Sequence, residues 1–167
     1  MMRISRFLWA GGFAALVLFC VPQGRMYAAG QWAAPSPVSA YSVPSSALLQ
    51  PADLNHILHT ANAEKPLMFQ VGSRMLFDES HIPKSEYIGP GATDSGTQAL
   101  RNRVAKLPHK TFIVLYCGCC PWSHCPNIGP AYQALAGMGF TRVKVLYLPN
   151  NFGADWAGKG YPVESTH

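Results

Sequence analysis

The segment Thr111-Phe112-Ile113-Val114-Leu115-Tyr116 restricts what this chain can fold into more than any other. A strand turns alternate side chains to opposite faces, and here both faces are apolar. Such a strand must be covered on both sides, as a central strand of a parallel sheet is. Parallel strands need crossover connections, and the flanking sequence supplies helices for them. Ala47 to Leu49 suits a short edge strand. Pro51 opens a helix whose apolar face is Leu54, Ile57, Leu58 and Ala61. Leu67 to Val71 is a further strand, Arg74 to Phe77 a helical turn, and Tyr87-Ile88 another short strand. A helix over Thr97 to Lys106 brings Ala99, Leu100, Val104 and Leu107 to one side. Beyond Tyr116 come a cysteine-crowded loop, a helix over Ala131 to Met138 that stops at Gly139, and a last strand over Val143 to Leu148. The alternation predicts an α/β fold: a central parallel sheet of about five strands with helices on both faces.

In such sheets the working site lies beyond the C-terminal ends of the strands, where loops enter helices. The loop Cys117-Gly118-Cys119-Cys120-Pro121-Trp122-Ser123-His124-Cys125 occupies that place, with four of the five cysteines of the chain. Pro130 is tolerated only in the first turn of the following helix, so Asn127 is the expected cap. The free N–H groups around Ile128 and Gly129 then point toward the loop and favour an anion or a thiolate. Cys117, just past the strand and near that helix end, is the expected nucleophile with a lowered pKa. Cys119, Cys120 and Cys125 have three readings: a resolving thiol, a soft-metal site together with His124, or a stabilising disulfide such as Cys120 with Cys125. Zinc sites draw ligands from two separated segments, so one loop makes a poor zinc cage. No cofactor and no resident metal is assigned from the sequence. Pro121 and Pro126 stiffen the loop, and Trp122 serves either as a cover or as an anchor. The tail Asn151 to Pro162 is either a lid over the loop or a seal on one edge of the core.

The N-terminus predicts export. Arg3 and Arg6 precede the apolar stretch Phe7 to Val21, and Pro22, Gln23 and Gly24 break it before Ala28-Ala29-Gly30. The expected organisation is a signal peptide over 1–29, a Pro/Ser/Ala-rich linker over 30–46 and one domain over 47–164. Uncleaved, the segment would be a membrane anchor, although it falls short of the about 20 residues of a usual span. The expected location is the periplasm or the exterior, where unpaired thiols tend to oxidise. The net charge of +5 includes Arg3, Arg6 and Arg25 of that segment. The rest is nearly balanced and has no basic cluster interleaved with aromatics, which argues against nucleic acid as a partner.

Several features in order resemble the rhodanese-like family: the strand Leu67-Met68-Phe69-Gln70-Val71-Gly72, the element His81-Ile82-Pro83, and the buried strand ending in Tyr116-Cys117. A loop, a helix and Gly139-Phe140 before another strand complete the pattern, over residues 47 to 148. The resemblance implies a rhodanese-like domain in which Cys117 accepts sulfur as a persulfide while the loop backbone, Gly118 included, cradles the charge. It further implies a small sulfur donor or a thiol-bearing protein as partner. The chain departs from the family in having Gln70 where an Asp is common, and in a longer loop without the arginine that binds an anionic donor. Two other functions stay open on the same residues: thiol–disulfide exchange through Cys117 and a second cysteine, with Cys117 and Cys120 at Cys-x-x-Cys spacing, or copper binding without turnover.

Overall fold

The computed structural model describes residues 42–166; the predicted signal segment and most of the predicted linker lie outside them. Five strands form one sheet: β1 (Leu48–Leu49), β2 (Leu67–Gln70), β3 (Glu86–Tyr87), β4 (Ile113–Tyr116) and β5 (Val143–Leu146). Their order is β1-β5-β4-β2-β3 and every pairing is parallel. Five helices connect or follow them: α1 (Pro51–His59), α2 (Arg74–Glu79), α3 (Asp94–Val104), α4 (Ile128–Gly137) and α5 (Phe152–Asp155). This is the α/β architecture expected from the strand and helix alternation.

β4 holds the centre because all four of its side chains are buried. Ile113 and Leu115 pack with Phe69, Leu100, Leu135 and Val145 on the side of α3 and α4. Val114 and Tyr116 face the opposite way and pack with Leu54 of α1, Met68, Ile82 and Trp156. The period-two alternation of one strand therefore builds two apolar layers, one on each face of the sheet. The packed domain reaches N-terminally to Val43, which is buried in the first of these layers.

Several expected helix limits move by a few residues, and two of the shifts have a clear local reason. α1 ends at His59, so Ala61 lies beyond it and is exposed rather than on the apolar face. There the ammonium of Lys65 donates to the carbonyls of Ile57, Leu58 and Thr60, occupying the end of the helix. α3 starts at Asp94, before Thr97, because the Thr93 hydroxyl oxygen accepts the N–H of Gly96 at 3.0 Å. Replacing Thr93 with alanine removes that cap and is expected to cost about 1 kcal/mol of stability. The check is a lower urea midpoint at unchanged slope.

His81-Ile82-Pro83 ties distant parts of the chain together. The His81 ring stacks on Phe77 at 4.0 Å and its Nδ1 lies 2.7 Å from the Phe77 carbonyl. Its backbone pairs with Glu164 in both directions, so the tail is fastened to the end of α2. These contacts give His81 a structural role. Its companions His56 and His59 are exposed surface residues on α1.

Candidate functional site

Cys117 leaves the C-terminal end of β4, and the chain then runs through the cysteine loop before α4 begins at Ile128. The loop folds back so that the Sγ atoms of Cys117, Cys119 and Cys125 all lie within 4.8 Å of one another. Cys117 Sγ and Cys119 Sγ are 3.2 Å apart, and Cys119 Sγ and Cys120 Sγ 3.3 Å. Cys117 and Cys125 are buried, Cys119 is exposed and Cys120 is intermediate. All four are free thiols in the structure, so the disulfide expected as one possibility, Cys120 with Cys125, is not formed. Cys120 instead directs its thiol toward the carbonyl of His124 at 3.6 Å.

His124 does not join the thiols. Its exposed ring lies 2.8 Å from the Ser123 hydroxyl. The short 3-10 turn Trp122–His124 carries it outward while returning Cys125 to the core. Trp122 is an anchor for that turn: its N–H donates to the Pro149 carbonyl and its ring meets Tyr147 edge-on at 5.3 Å. Together with Ile128, Leu146 and Leu148 it also walls the buried side of the thiols.

Asn127 is the functional residue that pattern reasoning placed correctly but understood only as a cap. Its side chain makes no capping bond. Its Nδ2 lies 3.4 Å from Cys117 Sγ and 3.8 Å from Cys119 Sγ, while its Oδ1 accepts the Ala92 N–H. One buried amide thus locks the thiols to the loop before α3. The available signal was its place directly after the cysteine loop, at the start of a helix.

Gln70 explains its own departure from the family pattern. It is 2% exposed, and its Nε2 donates to the carbonyls of Cys117 (3.3 Å) and Ser73 (3.4 Å), while its Oε1 accepts the Gly72 N–H. A carboxylate can only accept, so Asp in that place would leave both carbonyls unserved. Gly72 is equally constrained, since a Cβ there would stand 2.8 Å from Cys117 Sγ.

The amide cradle differs from the one expected. The backbone N–H groups of Asn127 and Ile128 act on the thiol of Cys125, two residues before the helix cap, not on Cys117. Gly129 is buried in the first turn. Gly118 serves another purpose: it takes the left-handed conformation (φ 78°), and its carbonyl accepts the Phe152 N–H at 3.1 Å. A Cβ on Gly118 would lie 2.5 Å from that of Phe152. The tail is therefore both of the things the sequence allowed. Trp156 is fully buried and seals the core, while Phe152 stacks on Tyr116 and closes over the loop.

A cleft of about 420 Å³ opens on Cys117 and Cys119, bounded by Gln70, Leu76, Glu79 and Phe152. Among the described residues, neither lysine nor arginine lines it. Within the cluster the negative charge settles on Cys119, the most exposed thiol. Hydrogen bonding from Cys117, then from Cys125, draws the Cys119 pKa well below the thiol range. Cys117 is correspondingly raised, first by its bond to Cys119, then by Cys125 and by burial, which reverses the lowered value expected for it. Burial, with Cys119 second, pushes Cys120 up to about 12. Cys125 is pulled down by Cys117 but raised overall by Cys119 and burial. The arrangement is one thiolate held by neighbouring thiols that donate to it.

No family model and no curated protein matches the sequence. Among solved structures the chain is similar to the BH2092 protein of Bacillus halodurans, at 25% identity and a TM-score of 0.56, covering 72% of this chain and 78% of that one. It is similar to the Alr3790 protein of Anabaena sp. at 18% identity and a TM-score of 0.53, covering 70% and 82%. The solution structure of the rhodanese-like domain of Alr3790 gives 20% identity and a TM-score of 0.54, covering 71% and 79%. With the five-stranded parallel sheet and the cysteine at the end of its central strand, these likenesses show that the chain has the rhodanese-like fold.

Proposed function

We propose that this chain is a sulfur-transfer protein of the sulfurtransferase type, in which Cys117 takes up sulfane sulfur beside the neighbouring sulfur of Cys119. The observation that carries this is the pair itself: a free cysteine at the end of the central strand, its Sγ 3.2 Å from that of an exposed second cysteine, at a cleft. A donor persulfide R–S–S⁻ enters the cleft and its outer sulfur is attacked by Cys117. The Cys117–sulfur bond forms as the donor S–S bond breaks. The Cys117 proton goes to the departing thiolate, leaving Cys117–S–S⁻ and R–SH. Attack by an acceptor thiolate on the outer sulfur returns the protein to its starting state. Asn127 holds the pair in register, a positioning role on which such geometry depends.

The cleft walls favour a weakly charged donor. Thiosulfate carries two negative charges, and an oxyanion of that kind is usually held by a guanidinium. Glu79 is on the wall and, among the described residues, no cation is. The expected donor is an organic persulfide or a protein-bound one, and the acceptor a small thiol or a thiol-bearing protein. We place the activity outside the cytoplasm on the strength of the Arg3/Arg6 and Phe7 to Val21 segment.

The test is the intact mass of the reduced protein after anaerobic incubation with free cysteine persulfide, of lower net charge, or with thiosulfate. The expected outcome is a gain of one sulfur atom with the persulfide, reversed by excess thiol, and little or none with thiosulfate. No gain with either donor overturns the proposal. A mass two hydrogens lower instead of a sulfur gain would establish thiol–disulfide exchange, which the same short distance between Cys117 and Cys119 would serve.

A further inference from the structure

We infer that Cys117, Cys119 and Cys125 also form a three-coordinate site for a soft monovalent cation, Cu(I) being the ion of choice. This goes beyond sulfur transfer: it requires Cys125, which the transfer does not use.

The first observation is geometric. A trigonal ion with metal–sulfur bonds of about 2.3 Å holds its three sulfurs about 4.0 Å apart. The three Sγ atoms lie within 4.8 Å of one another, and those of Cys117 and Cys119 are 3.2 Å apart. The required edge of about 4.0 Å falls within that range. Among the described residues this trio is the one group of convergent metal-ligating atoms.

The ligand chemistry selects the ion. All three donors are thiol sulfurs, which favour Cu(I) among the first-row metals alongside zinc. Zinc, however, completes four ligands. His124 is turned outward to Ser123, and the Cys120 thiol is directed to the His124 carbonyl. The set stops at three sulfurs, which is a full shell for Cu(I), whereas Zn(II) would have to take a fourth ligand from solvent.

The surroundings form an independent observation. Asn127 Nδ2 approaches two of the three sulfurs, and the N–H groups of Asn127 and Ile128 act on the third. Donors to ligating atoms of this kind hold a metal's first ligands in place. Trp122, Ile128, Leu146 and Leu148 form an apolar wall behind the cluster on the side of Cys117 and Cys125. A sulfur-only donor set favours the monovalent state. On binding, whatever protons the three sulfurs still carry go to solvent as the metal–sulfur bonds form, and no electron is transferred.

The experiment titrates the reduced protein anaerobically with Cu(I) presented as its bicinchoninate complex, and reads copper per chain by native mass. Thermal melting serves as the second readout. The expected result is one Cu(I) per chain, a raised Tm, and no comparable rise with Zn(II). Cys125→Ser is expected to weaken Cu(I) retention at least tenfold, and Cys125→Ala likewise. Circular dichroism of each apo variant shows that the fold is intact, and if either variant unfolds, Cys119→Ser at the exposed position supplies the same comparison. Retention undiminished in the folded variants, a loss of copper on His124→Ala, or the absence of stoichiometric binding by the unaltered protein would each overturn the site. None of these outcomes depends on sulfur loading, so failure of the metal site and failure of the transfer proposal are told apart.

Discussion

With serine in place of Cys117, the protein gains no sulfur from a persulfide donor, while its far-UV circular dichroism and cooperative unfolding persist. The expectation follows from position. Cys117 Sγ is the atom facing the cleft from the end of β4, against Gly72 on one side and Asn127 on the other. A hydroxyl fits the same space but is a far weaker nucleophile at neutral pH. Cys119→Ser is the informative companion. It removes the sulfur in contact with Cys117 but keeps Cys117 itself, so that variant still loads sulfur, only more slowly. The checking measurement is time-resolved intact mass on both variants under anaerobic conditions. Loading that survives in Cys117→Ser and vanishes in Cys119→Ser would transfer the acceptor role to Cys119.

Trp156→Ala is the substitution with the largest expected effect on stability. The indole is fully buried, lies edge-on to Tyr161 at 5.0 Å, stacks with Phe152, and donates its Nε1–H to the Pro162 carbonyl at 2.9 Å. Truncating a buried Trp costs about 3–5 kcal/mol, against a total of about 5–15 kcal/mol for a typical domain. Urea unfolding is expected to show the loss as a much lower midpoint. The site changes with it, because Phe152 is held between Trp156 and Tyr116. Iodoacetamide should then label Cys117 faster in the still-folded variant. A cost below about 1 kcal/mol, with unchanged labelling, would mean that the tail lies outside the cooperative unit.

The fold was legible where one segment dictates its own surroundings. Thr111 to Tyr116 required cover on both faces, and the central place of β4 followed. The strand order was not legible, because β1 finds β5 across most of the domain and no local pattern encodes that pairing. The start of α3 was missed since Thr93 acts through a side-chain oxygen, not through periodicity. At the site, the crowding of the cysteines was plain but their aims were not. Cys125 turns inward and His124 outward, though they are neighbours, because the 3-10 turn at Trp122 fixes their directions. The expected lowering of the Cys117 pKa considered the helix end and omitted the other thiols. Those lie closer, and their mutual bonds decide where the charge rests. Gln70 looked like a defect in a family pattern, yet its two-sided amide is what the Cys117 carbonyl needs.

The bond from Phe152 N–H to the Gly118 carbonyl has a temporal consequence. A ribosome or a translocation channel delivers Cys117 to Cys125 well before it delivers residue 152, and β1 waits still unpaired until Val145 arrives beside Leu48. Until that moment the thiols have a floor but no roof. Any oxidant met during emergence reaches four cysteines whose shelter has not yet been made, so the yield of active protein should depend on how reducing the surroundings are during those last residues, more than on conditions after folding is complete.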